Sequence, residues 1–144
     1  MKKLIALSLI LTSMIFFAGC SSNSDGTIEI SERFFINDIN NIIFNRNDYL
    51  GRTIQYEGIF DTIAVSAFTE VHLVYRYVPG CCGPEGIAGF LVDLGDFAPL
   101  SGNAWAEVVG VLEEFEDHNG NTNIRLALTS LTEMDTRGAE FVTP

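Results

Sequence analysis

Hydrophobic and polar residues follow three successive patterns along this 144-residue chain. Leu4 to Ala18 is an almost unbroken apolar run. A short polar stretch follows, and then apolar residues recur at helical spacing: Phe35, Ile39, Ile42 and Ile43 fall on one face of a helix, with Ser31 as a plausible N-cap. That helix is expected to stop near Tyr49-Leu50, with Gly51 as its C′ residue. Its many Asn and Asp residues weaken helix propensity, so packing of the apolar face has to hold it.

Beyond Gly51 the period shortens to two, the spacing of strands. Ile54, Tyr56, Gly58 and Phe60 share one face, with Thr53, Gln55, Glu57 and Asp61 on the other. A second strand is predicted from Val71 to Val78, with Val71, Leu73, Tyr75 and Tyr77 on one side. Ile87 to Leu94, bracketed by Gly86 and Gly95, suits a largely buried third strand, and Asp96 to Asn103 reads as a loop. In the fourth, Trp105 to Glu116, Ala106, Val108, Gly110 and Leu112 point together. His118-Asn119-Gly120-Asn121 predicts a type I′ hairpin turn into a last strand with Ile124, Leu126 and Leu128 inward. Thr27 to Ile30 forms a further short strand before the helix. Gly58 and Gly110 inside strands mark bulges or bends of the kind small barrels need. The expected fold is therefore mainly β, a small OB-like five-stranded barrel preceded by one helix, with a β-sandwich as the main alternative.

The first apolar run is too short to span a bilayer comfortably, and it follows Lys2 and Lys3 and ends in Phe17-Ala18-Gly19-Cys20. This resembles the signal peptide and lipobox of bacterial lipoproteins, with Phe17 where Leu is commonest. The resemblance implies removal of residues 1–19 and attachment of diacylglycerol to Cys20, with palmitate-type chains holding the protein to the cell membrane, outside the cytoplasm. Two or more chains anchor stably, whereas one is marginal. An uncleaved anchor helix gives the same address. The expected organisation is signal peptide 1–19, lipidated tether 20–26, barrel domain 27–136 and a loose C-terminal tail 137–144.

Charge narrows the partners. Without Lys2 and Lys3, six arginines face nineteen acidic residues, a net charge of about −13 at pH 7. Such a surface repels phosphate backbones and anionic lipid at long range, which argues against nucleic acid and leaves membrane attachment to the lipid.

Three segments together resemble one family: Gly51-Arg52-Thr53-Ile54 with Tyr56-Glu57-Gly58, Cys81-Cys82-Gly83-Pro84-Glu85-Gly86, and Trp105-Ala106-Glu107-Val108-Val109-Gly110-Val111-Leu112-Glu113. They are similar to the C-terminal soluble domain of YcgQ-type proteins, membrane proteins of unassigned function that accompany a permease-type protein in many bacteria. The likeness covers roughly Thr27 to Asp135. It implies an OB-like fold and an envelope role near a transport system, with a permease or another envelope protein as partner. The expected lipid anchor stands in place of that family's membrane-spanning half.

Cys81 and Cys82 sit among Pro79, Gly80, Gly83, Pro84 and Gly86, in a turn rather than a regular strand. Three readings are open. A zinc or copper(I) site would use both thiolates and recruit Glu85, Asp93 or His72, although adjacent cysteines are not a usual ligand spacing. A vicinal disulfide would be strained and readily reduced. Two buried thiols would simply pack. His72 alternates away from Leu73 and Tyr75 and is expected to face solvent, as is His118. Glu113, Glu114, Glu116 and Asp117 form an acidic cluster without an EF-hand pattern, hence a solvated end.

No serine-nucleophile elbow, zinc-protease helix or phosphate loop occurs in the sequence, so an enzyme is not expected. The reading is a non-enzymatic, lipid-anchored binding module with no cofactor firmly indicated. A metal-handling protein and, behind it, a thiol-redox protein are the alternatives.

Overall fold

The protein is described by a computed structural model covering residues 26–66 and 69–143. The signal peptide, Cys20 and the tether as far as Asp25 lie outside the described residues. The described elements are β1 (Ile28–Glu29), α1 (Phe35–Phe44), β2 (Thr53–Ser66), β3 (Thr69–Gly80), β4 (Gly83–Asp93), β5 (Ala104–Glu116) and β6 (Thr122–Glu133).

Around the barrel the order is β2-β3-β4-β6-β5, and β2 pairs again with β5 to close the ring. The closing ladder runs from Thr53↔Val111 to Phe60↔Ala104, while the outer half of β2 pairs with β3 from Ile59↔Tyr75 onward. Only β4 and β6 pair in parallel within the ring, at Leu91↔Arg125 to Asp93↔Ala127. This is OB topology, and the double pairing of β2 excludes an open sandwich. Two glycines permit the closure. A Cβ on Gly58 would lie 2.8 Å from the Tyr75 carbonyl oxygen, where β2 passes from one partner to the other. A Cβ on Gly110 would lie 2.8 Å from the Ala127 carbonyl oxygen, beside the register shift at Val109/Gly110.

The interior is filled as the alternation predicts for β2, β5 and β6: Ile54, Tyr56, Phe60, Ala106, Val108, Leu112 and Leu126 are buried. The helix plugs the barrel, but it begins later and ends earlier than its pattern suggests. Glu32–Phe34 is a 3₁₀ turn, Ser31 makes no side-chain cap, and Asn45 ends α1. Its buried face is Phe35, Ile36, Ile39 and Ile42, whereas Ile43 is exposed. Gly51 is not the C′ residue; its φ of 79° turns the chain from the 3₁₀ turn Arg46–Asp48 into β2.

β3 departs most from expectation. Val74 and the half-buried Val78 enter the main core, while Leu73 and Tyr75 point outward yet are also buried. Outside the barrel they join Ile59 and Trp105 in a second cluster, with Tyr77, Leu91 and Met134 packed against it. The C-terminal residues cover part of this cluster. Met134 N–H donates to Trp105 O at 2.8 Å, Tyr77 N–H to Glu140 O at 2.7 Å, and Val142 N–H to Tyr77 O at 2.9 Å. Val142 is buried in the main core and Phe141 packs on the Tyr77 ring. The segment read as a loose tail is thus docked along β3, because it carries apolar side chains and meets free backbone groups there.

Arg76 binds these parts together. It is only 3% exposed. Its Nε donates to Glu57 O at 2.8 Å, and its Nη1 reaches both Glu32 Oε2 and Ala139 O at 3.2 Å. The guanidinium lies over the Phe35 and Trp105 rings, which shelter its charge.

Candidate functional site

The cysteine pair forms the whole turn of the β3–β4 hairpin. The strands pair through Val78↔Gly86, Pro79↔Pro84 and Gly80↔Gly83, leaving Cys81 and Cys82 between them. β4 begins at Gly83, four residues before the apolar run that announced it. Both thiols are free and exposed, with their Sγ atoms 3.4 Å apart. The buried-thiol reading fails here, since the turn projects beyond the barrel and no core side chain covers it.

Glu85 shares the shallow hollow at this tip with both cysteines. His72 and Asp93 do not. His72 pairs with Val92, eight residues down the ribbon from Gly80, or about 26 Å at the rise of a strand. Among the described residues no group of three or more His, Cys, Asp or Glu side chains converges as a metal site.

His72 and Asp93 meet elsewhere. They line a cleft of about 360 Å³ that takes in the outward Leu91, Phe115 and Arg125 together with the core residues Val92 and Leu94, with Glu70 and Phe97 also along it. His72 does not face open solvent: its ring stacks on Phe60, with centroids 5.9 Å apart, and its Nδ1 lies 2.9 Å from Thr62 Oγ1. Asp93 pairs with Arg125 at 2.7 Å, and Arg125 also bonds Glu113 at 2.8 Å while lying over the Phe115 ring. The cleft adjoins a more apolar hollow of about 420 Å³, floored by the shared residues Val71, Leu91 and Phe115. Val65, Thr69, Glu116, Asp117, His118 and Asn123 complete its rim.

The β5–β6 turn bounds that rim, and it is not type I′. Gly120 N–H donates to Asp117 O, and Gly120 alone takes a positive φ, 81°. This is a three-residue loop, a type I turn closed by a left-handed glycine. Asp117 makes the longer loop favourable, since its carboxylate accepts the N–H groups of Asn119 and Asn121 and both side-chain amides of Asn121 and Asn123. The bond from the Asn121 backbone, first among these, holds the Asp117 carboxyl below its ordinary range. The acidic cluster is therefore more than a solvated end: Glu113 holds Arg125, Glu114 pairs with Arg46 at 3.3 Å, and Asp117 shapes the turn.

Arg125 and Phe115 escaped the sequence reading, although one signal was present. The signal was the Asn119-Gly120 hairpin: read as the expected two-residue turn it sets Glu113 opposite Leu126, whereas the three-residue loop centred on Asn119 sets Glu113 opposite Arg125 and Phe115 opposite Asn123, the register observed.

The family model of the DUF1980 C-terminal domain matches residues 18–142. The chain belongs to this family. The match accords with the likeness to the C-terminal domain of YcgQ-type proteins drawn from the strand and cysteine motifs. No curated protein matches the chain at a significant level. For a DUF1980 C-terminal domain the name assigns no reaction, so the chemistry has to come from the hairpin tip and the outer cleft.

Proposed function

We propose that this chain is a lipid-anchored, extracytoplasmic binding module that holds a basic, partly apolar segment of an envelope partner protein across the outer face of β3, β4 and β6. The observation that carries this reading is the joined pair of hollows over Val71, Leu91 and Phe115. OB barrels engage extended ligands on the face of their second and third strands, flanked by the first and last hairpin loops. In this chain those strands are β3 and β4, and the last hairpin loop is His118–Gly120. Charge selects the occupant. Glu70, Asp93, Glu116 and Asp117 line the hollows, against Arg125, whose charge Asp93 and Glu113 already compensate. An acidic rim around an apolar floor favours Lys or Arg interleaved with apolar side chains and disfavours nucleic acid. The motif likeness makes a membrane transport protein the natural partner, and Gly19-Cys20 supplies attachment to the same membrane.

Titration calorimetry of the full chain in detergent tests the proposal, using a short alternating Lys-Leu peptide and an acidic peptide of equal length. The basic peptide should bind with an affinity that falls as salt rises, and Glu70→Lys and Phe115→Ala should each weaken it at least tenfold. Equal binding of the acidic peptide, or wild-type affinity in both variants, would overturn the assignment. Cys20→Ser should move the protein from the detergent phase to the aqueous phase; unchanged partitioning would remove the lipid anchor from the proposal.

A further inference from the structure

The hairpin tip carries an inference independent of the cleft. We propose that Cys81 and Cys82 form a reversible dithiol–disulfide couple that exchanges electrons with an external disulfide, either a small molecule or a partner protein. Both thiols are free and exposed, and their sulfurs are 3.4 Å apart, so either can be reached from outside while the other waits within contact distance. The donor set at the tip is two sulfurs and the Glu85 carboxylate, with His72 and Asp93 far down the ribbon; a tetrahedral metal shell is not assembled there.

Adjacency sets the character of the couple. Consecutive Cα atoms are held about 3.8 Å apart by a trans peptide, below the roughly 4.4–6.8 Å that unstrained disulfides span. Closing the ring therefore strains the Cys81–Cys82 peptide, and strained, exposed disulfides are the ones that reopen readily. The surroundings confine that strain. Pro79, Gly80, Gly83 and Pro84 flank the pair beyond the barrel, so ring closure deforms the turn and leaves the core packing alone.

The exchange balances as follows. The thiolate of one cysteine attacks a sulfur of the incoming disulfide, whose S–S bond breaks and releases one thiolate, which takes up a proton. The neighbouring cysteine loses its proton and attacks the mixed disulfide, forming the Cys81–Cys82 bond and expelling the second thiol. The pair loses two electrons and two protons, and the external disulfide becomes two thiols. The reverse sequence reopens the pair.

The test equilibrates the full chain in detergent over a series of reduced-to-oxidised glutathione ratios, quenches with an alkylating reagent and weighs the tryptic fragment Tyr77–Arg125, which contains both cysteines and excludes Cys20. The expected result is a reversible conversion from two alkyl groups to none, with a two-dalton loss in the unalkylated fragment. Its midpoint should lie within the glutathione series. Cys81→Ser and Cys82→Ser should each accumulate a glutathione adduct that does not resolve, with the urea midpoint of the reduced protein unchanged. Two alkyl groups at every ratio, or stable adducts in the wild-type fragment, would overturn the couple. Stoichiometric metal that blocks alkylation of both thiols would overturn it in favour of a metal site.

Discussion

The two hydrophobic clusters that meet at β3 are closed by different means. The inner one is enclosed by a ring of hydrogen-bonded strands and plugged by α1, with Val142 of the C-terminal segment entering at its edge. The outer one, around Ile59, Leu73, Tyr75 and Trp105, is covered by residues that follow the last strand and hang on a few backbone bonds to Tyr77 and Trp105. Local openings draw on regions with few such bonds, so stability should be distributed unevenly across one strand. The candidate sites divide similarly: the thiol tip lies beyond the closed ring, while the cleft runs between outward residues such as Leu91, Phe115 and Arg125 and the core residues Val92 and Leu94.

The sharpest way to break this comparison is to damage the inner cluster. Phe60→Ala removes a fully buried ring that packs in the barrel interior and against His72. The expected loss is about 3–5 kcal/mol, read as a lower urea midpoint shared by far-ultraviolet circular dichroism and tryptophan fluorescence. A loss below about 1 kcal/mol would mean that β2 does not present this face inward.

Deleting residues 139–144 attacks the cover of the outer cluster, and with it Val142 at the edge of the main core. It removes both backbone bonds to Tyr77, the Ala139 acceptor of Arg76 and the buried Val142 side chain. About 2–4 kcal/mol should be lost, and the Tyr77 amide should exchange with solvent far faster while amides of the β2–β5 ladder change little beyond that. Uniform acceleration everywhere would show that the two clusters open as one.

Next in size is Gly110→Val, which tests the wall between β5 and β6. The added Cβ would meet the Ala127 carbonyl oxygen at 2.8 Å and the Leu126 Cβ at 3.1 Å, and backbone cannot yield cheaply. An overpacking cost of about 1–3 kcal/mol is expected from the urea midpoint. An unchanged midpoint would remove the bulge at Val109/Gly110 from the closure of the barrel.

Legibility in the sequence followed the same boundary. Where a strand buries one face only, as β5 does from Val108 to Leu112 beyond Trp105, alternation marks the interior directly. β3 buries both faces, so the apolar run Leu73, Tyr75 and Tyr77 pointed to the outer cluster while Val74 and Arg76 took the inner positions. A buried arginine carries no apolar signal; only its three acceptors and two rings, drawn from distant parts of the chain, account for it. The hairpin tip was legible because Pro, Gly and Cys leave little choice but a turn. The cleft was not, since His72, Asp93 and Arg125 meet only through the register of three strands.

The smallest effect separates the clusters by pH. Inside the barrel the Tyr56 hydroxyl donates to Val74 O at 2.7 Å and accepts the Phe90 N–H at 3.2 Å. Tyr56→Phe leaves both backbone groups without that partner and should cost about 1–2 kcal/mol at neutral pH. Burial raises the Tyr56 hydroxyl far above its ordinary value of 10.0, and the Phe90 N–H only partly offsets this. The unfolded chain therefore ionises this tyrosine near pH 10 while the folded protein keeps its proton. Because the folded state then holds more protons, the Tyr56 contribution is complete below pH 10 and falls above it by about 1.4 kcal/mol per pH unit. Tyr75 in the outer cluster is raised as well, by burial first and by its bond to the Tyr77 hydroxyl next, and it stays in both proteins. Urea midpoints of wild type and Tyr56→Phe, compared between pH 8 and 11, should differ most below pH 10 and converge above it. Parallel curves across that range would place Tyr56 in contact with water, and the inner cluster would lose its claim to be the closed one.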